Sequence, residues 1–289
     1  MRSGLFFAST LLATSLLASC SNSPSTKEVN QSVQGADNEG QGAVNNAITL
    51  DYPTEIEGYR VRVYWKPVKI KYAYVIGPAI LEFSNAKDST SFTLTSNHFS
   101  VPKSTLKFKY NEDSTQIKGF NERRLQMAYK GVPLDSKAGG FGSANEPFFF
   151  ADVDFDQIKE LLITEADQGQ RGTAIFKVYQ FDDSYNAPEP SEMSAEPFAS
   201  LDALSTIDYG NKSITIENSN GAYTSSQDTY NLKAANYEGG APYLALASVV
   251  EGQVDEATNK PYEARYKVLN DKRILISRKE VKVEPDTED

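Results

Sequence analysis

Residues 146–164 read EPFFFADVDFDQIKELLIT, and both the fold and the chemistry of the chain start from this stretch. Phe148-Phe149-Phe150 and Leu161-Leu162-Ile163 are apolar runs too short for helices and of the length of buried strands. Between them, Asp152, Asp154 and Asp156 alternate with Val153 and Phe155. The stretch therefore reads as two strands joined by an acidic loop.

Similar runs recur outward in both directions: Tyr59 to Trp65, Tyr72 to Ile76, Ile80 to Phe83, Ser91 to Thr95 and Leu106 to Tyr110 before it, and Ala174 to Phe181, Ser213 to Glu217, Tyr243 to Val250, Tyr262 to Val268 and Ile274 to Ser277 after it. Period-two alternation is clear in Tyr59-Arg60-Val61-Arg62-Val63-Tyr64 and in Ile214-Thr215-Ile216. Turn residues punctuate the runs at Gly210-Asn211, Asn220-Gly221 and Asn270-Asp271, the last spaced for a tight hairpin. Asn121 to Lys130 and Glu192 to Leu204 are the two stretches with a helical period. The expectation is an all-β domain over 48–283, a small β-propeller-like domain or, alternatively, a β-sandwich or two packed antiparallel sheets. The Gly-rich Ala138 to Gly142 is read as a loop rather than a domain boundary.

Composition narrows the function. The 289 residues carry 29 Lys plus Arg against 39 Asp plus Glu, a net charge of −10, with 16 Tyr, 15 Phe and one Trp. That aromatic content is ample for a core, and the acidic balance lacks the positive surplus that nucleic acid binding needs. One Cys and one His, Cys20 and His98, cannot make a disulfide framework or a zinc site.

Met1 to Cys20 reads MRSGLFFASTLLATSLLASC: one basic residue, an apolar run from Leu5 to Leu17, then small residues. This is the pattern of a secretory signal. Its end, Leu17-Ala18-Ser19-Cys20, resembles a bacterial lipobox, which implies cleavage after residue 19 and acylation of Cys20. Each buried methylene of such an anchor contributes about 0.8 kcal/mol. Ser21 follows Cys20, and by resemblance the absence of Asp there favours the outer membrane. Residues 20–47 then run rich in Ser, Asn, Gln and Gly without an aromatic, a tether that has too little apolar surface to fold. Residues 284–289 form an acidic tail.

The acidic loop is where the chemistry lies. Asp152, Asp154, Asp156 and Glu160 stand at positions 1, 3, 5 and 9. On a regular strand the three Asp side chains would line one face about 7 Å apart and repel. Wrapped into a loop, their oxygens converge on one point, and a hard dication makes that convergence favourable. The carbonyl of Ile158, at position 7, and Glu160 complete an oxygen set suited to Ca²⁺ as a structural cofactor. Position 6 is Gln157 where an EF-hand loop has glycine, and position 12 is Ile163 where it has a bidentate Glu, so a strand rather than a helix should follow.

FFFADVDFDQIKELLI, KVYQFD, IDYGNKSITIENSNGAYTSSQDTYNL and ARYKVLNDKRILISRKE resemble a family of bacterial envelope lipoproteins that carry a loop of the type DxNFDGxxDL and end in a strand pair of the type YxLxNGKLxLI. Its best understood members are propeller-type immunity lipoproteins with an EF-hand-like calcium loop, which inhibit lysozyme-like effectors. The resemblance covers about residues 145–283. It implies Asp152, Asp154, Asp156, Ile158 and Glu160 as calcium ligands, a bacterial envelope location, and a peptidoglycan hydrolase as partner. The alternative function is a surface or polysaccharide-associated lipoprotein, with tyrosines as stacking platforms. Enzymatic activity is not expected: nucleophilic catalysis would have to use His98, whose place in Ser96-Asn97-His98-Phe99-Ser100 suits a hydrogen-bonded structural residue.

Overall fold

The structure is a computed structural model and describes residues 47–87, 90–106, 110–113, 116–120, 123–132, 134, 140–143, 146–166, 173–181, 190–219, 224–235, 237 and 240–281. The signal segment, Cys20, the tether up to residue 46, the Asn220-Gly221 turn and the tail 284–289 lie outside the described residues.

The described strands form four open sheets. In the first, β1 (Ile48–Asp51), β2 (Tyr59–Trp65), β5 (Ala79–Asn85) and β6 (Ser91–Ser96) pair antiparallel in that order, and β10 (Arg124–Gln126) adds parallel to β1. The second runs β7 (Ser100–Pro102), β4 (Tyr74–Ile76), β3 (Lys69–Lys71), β9 (Gln116–Phe120) and β8 (Tyr110–Asp113). The third holds the opening stretch: β11 (Phe148–Ala151), β12 (Glu160–Glu165), β13 (Ile175–Gln180) and the two-residue β14 (Ser191–Glu192). The fourth is a meander of β15 (Thr206–Asp208), β16 (Ser213–Ser219), β17 (Ser225–Lys233), β18 (Tyr243–Val254), β19 (Pro261–Leu269) and β20 (Lys272–Glu280).

The all-β class holds, with several antiparallel sheets, and the pairing draws neither a closed barrel nor a propeller ring among the described residues. The two helical stretches are corrected. Glu192 to Leu204 has only a 3-10 turn at Phe198–Ser200, because Pro197 has no N–H to donate and its ring blocks a helix through this point. In the other, Arg124 to Gln126 is taken up by pairing with β1, and Asp51 of β1 accepts hydrogen bonds from Arg62 at 2.9 Å and from Arg124.

Strands β11 and β12 of the third sheet are buried on both faces, which explains why Phe148 to Phe150 and Leu161 to Ile163 are continuously apolar instead of alternating. Phe148, Phe150, Leu161, Ile163 and Tyr179 join one core with Leu50, Val63, Trp65, Leu81 and Phe83 of the first sheet and Val75 and Val101 of the second. Phe149, Leu162, Phe176 and Val178 point the other way, into a core with Ile207, Ile214 and Ile216 of the fourth sheet. Aromatic rings knit the first of these cores: Phe83 stacks on Phe92 at 4.8 Å and meets Phe148 edge-on at 5.7 Å.

The first sheet, by contrast, alternates, with Val61, Val63 and Trp65 of β2 buried and Arg60, Arg62 and Tyr64 exposed. The fourth sheet is the least covered. Asn270 and Asp271, at φ 49° and 58°, make its last hairpin turn, where positive φ at both central residues matches strand twist. Its edge strand β20 pairs Ser277 with Arg265 and Leu275 with Tyr266, leaving Ile276 as a bulge that is 64% exposed. Arg273 and Arg278 of β20 donate to Glu251 and Asp255, and the Arg278 guanidinium lies 3.8 Å from the Tyr262 ring centroid.

Candidate metal centre

The acidic loop leaves β11 at Ala151 and enters β12 at Glu160, so a buried antiparallel pair, Ala151 opposite Glu160, fixes both of its ends. Two short apolar anchors, Val153 and Phe155, are buried beneath it and turn the intervening carboxylates outward. Successive carboxylates then fold the backbone over themselves. Asp154 Oδ1 accepts the Asp156 N–H at 3.1 Å, Asp156 Oδ1 the Ile158 N–H at 2.7 Å, and Asp152 Oδ2 the Gln157 N–H at 3.2 Å. Phe155 and Gln157 take φ of 67° and 77°. Position 6 thus adopts the left-handed backbone that glycine would supply, with Gln157 in its place.

The result is that Asp152, Asp154 and Asp156 each present a carboxylate oxygen within 4.8 Å of the others, a group that could hold a metal ion. Asp152 Oδ1 is buried and has no hydrogen-bond partner. Such an orphaned oxygen costs about 1–3 kcal/mol unless something satisfies it. Glu160 is buried at 1% exposure, and its Oε2 accepts the Val153 N–H at 2.7 Å. Ile158 is exposed, and its N–H is the group bonded to Asp156. The structure therefore brings the three Asp residues together, sets Glu160 beneath them on the loop's own backbone, and turns the Ile158 side chain to solvent.

Crowding of like charges shows in the electrostatics. Burial, then the neighbouring Asp156 and Asp152, pushes the Asp154 carboxyl up to about 6. Burial again leads for Glu160, with Asp154 and Asp156 adding to it, and raises it to about 8. Without a counter-charge the loop resists full ionisation at neutral pH.

Two neighbours escape sequence reasoning. Tyr209, in the turn between β15 and β16, meets Phe155 edge-on at 5.8 Å, and burial together with Asp152 and Glu160 pushes its phenol up to about 12. Glu57, in the turn before β2, pairs with Lys159 at 2.7 Å. Both lie far from the loop in the chain, and no local pattern marks them.

Fold and site together define an all-β protein with an acidic loop that could hold a metal ion. No family model matches the chain, and no curated protein matches it. A solved structure described as that of a Xanthomonas Type IV Secretion System related protein is similar at 13% identity and a TM-score of 0.49, over 82% of this chain and 96% of that one.

Proposed function

We propose that the chain is a lipid-anchored, Ca²⁺-binding module of the bacterial cell envelope that works by holding a partner protein rather than by catalysis. The observation that carries the cation is the convergence of Asp152, Asp154 and Asp156 around a buried Asp152 Oδ1 that lacks a partner. The donors are all oxygen, which suits a hard cation and suits zinc or copper poorly. Four nearby carboxylates, with Glu160 counted, favour Ca²⁺ and its larger, more flexible shell over Mg²⁺, which demands near-ideal octahedral geometry.

The ion's role in this reading is structural. The loop spans β11 and β12 of the doubly buried sheet and touches turns of two other sheets through Glu57 and Tyr209. Neutralising it would fasten the three together.

Anchoring rests on Cys20 in Leu17-Ala18-Ser19-Cys20, and the outer membrane is the proposed address. For the partner, a net charge of −10 complements a basic, lysozyme-like peptidoglycan hydrolase, and opposite fields speed encounter. The chain would then serve as an immunity protein or inhibitor. The test uses the chain from residue 21 onward, which lacks both the apolar signal segment and Cys20. Calorimetric titration with CaCl₂ should show one site that Asp152→Ala abolishes, and the Ca²⁺-loaded protein should slow lysis of peptidoglycan by a basic lysozyme-type enzyme. Absence of any Ca²⁺ heat removes the cation; unimpaired lysis removes the inhibitor role.

A further inference from the structure

A second place in the molecule, remote in sequence from the acidic loop, has the attributes of a ligand site. A cleft of about 390 Å³ opens between the edge strand β6 and the third sheet, bordered by Thr93 and Thr95, by Glu165 at the end of β12, by Lys177 and Tyr179 of β13, and by Glu192 of β14. That volume is within the roughly 300–1,000 Å³ of small-molecule sites.

Its floor is charged. Glu165 is 3% exposed, and its Oε1 accepts the Ser96 hydroxyl at 2.6 Å, which fixes the carboxylate where the residue borders the cleft. The same Ser96 Oγ accepts the His98 backbone N–H at 3.2 Å, so the turn after β6 holds the arrangement in place. At the rim, Lys177 Nζ faces Glu192 at 3.7 Å, and this pair is partly exposed and close to neutral. The negative charge of Glu165 therefore dominates the interior. Its complement is a compact cation with N–H donors, and a carboxylate already holding the Ser96 hydroxyl suits an ammonium better than the two-pronged fork of a guanidinium. Thr93, Thr95 and Tyr179, which also border the cleft, carry hydroxyls that can both donate and accept. Burial, followed by Glu192 and Glu165, pushes Tyr179 up to about 12, so its phenol stays neutral.

We propose that this cleft binds a polyhydroxylated primary amine, the chemical class of an amino sugar, with its ammonium on Glu165 and its hydroxyls on Thr93, Thr95 and Tyr179. The site is independent of the metal centre and stands whether or not that centre holds calcium.

His98 also borders the cleft and is the only histidine in the chain, so its ring signals report on occupancy in an NMR titration of the chain from residue 21 onward. At neutral pH, D-glucosamine should shift them with an affinity at least about tenfold above that of D-glucose or N-acetyl-D-glucosamine, the margin expected of a charge-assisted hydrogen bond. Glu165→Gln should erase that preference, and Lys177→Ala should keep it. If the Glu165→Gln protein fails to fold, the three sugars on the unaltered site still decide. Equal affinity for glucosamine and glucose overturns the proposal, as does glucosamine leaving the His98 signals unmoved.

Discussion

The third sheet and the outer strands of the fourth are both antiparallel and lie in opposite environments. In β11 and β12 every side chain is buried. In β20 all but the half-buried Ser277 are exposed, including Ile274, Leu275 and Ile276. The same residue types thus do different work. Leu162 is held between two sheets and contributes through burial, whereas Leu275 lies open to water and contributes little. What separates them is coverage of the second face, and the apolar character of a run does not by itself report that.

Substitution in the core should separate the two regions most. Leu162→Ala should cost about 2–5 kcal/mol, and Leu275→Ala about 0.5 kcal/mol or less, read as midpoints of urea unfolding at unchanged m-value. Comparable losses would mean that the outer strands are as tightly integrated as the centre. Next comes the acidic loop. If the proposed Ca²⁺ is present at about 100 times its dissociation constant, it should stabilise the fold by about 2.7 kcal/mol, so EDTA should lower the melting temperature by about 5–10 °C. The Asp152→Ala protein should melt at one temperature with and without EDTA.

A third expectation concerns pH. In the cation-free protein, Asp154 and Glu160 have folded-state pKa values raised from 3.8 to about 6 and from 4.5 to about 8. Carboxyls shifted upward favour the folded state in their protonated form, so this contribution is fully present below the unfolded values and is lost as pH rises through about 6 and then about 8. Ca²⁺ needs the ionised carboxylates and acts in the opposite sense. The gap between Ca²⁺ and EDTA melting curves should therefore be widest near pH 8 and close towards pH 4. A gap that is constant over this range would show that these carboxyls do not bind the ion.

The smallest effect belongs to the fourth sheet. Arg278→Ala removes a stacking contact and an exposed ion pair together worth about 1 kcal/mol. It should speed amide hydrogen exchange in β19 and β20 while leaving β12 unchanged. Slowed or unchanged exchange at Tyr262 and Glu280 would show that the Arg278 contacts do not hold the hairpin.

Legibility in the sequence followed the same divide. Phe148 to Phe150 and Leu161 to Ile163 are plain because both faces of their sheet are buried, and β2 is plain because one face is. The strand β17, Ser-Ser-Gln-Asp-Thr-Tyr-Asn-Leu-Lys, carries little apolar period in its sequence because none of its side chains is fully buried. β18 continues to Val254, past the expected end at Val250, through Glu251-Gly252-Gln253. Cross-strand pairing on both sides sustains it there. Short strands such as β3, β7 and β14 have too few residues to show any period. In the acidic loop the convergence of Asp152, Asp154 and Asp156 was readable from spacing, since neighbouring backbone closes the loop. Tyr209 and Glu57 were not, because three-dimensional packing alone brings them there.

The bulge at Ile276 also bears on the exposed edge of the fourth sheet. Three consecutive apolar residues on an uncovered edge strand are a template on which another chain could extend the sheet. No element covers that edge among the described residues. A kink and four cations, Lys272, Arg273, Arg278 and Lys279, stand guard instead. Exchanging Lys272 and Lys279 for neutral side chains should therefore make this edge more open to sheet extension by a second chain.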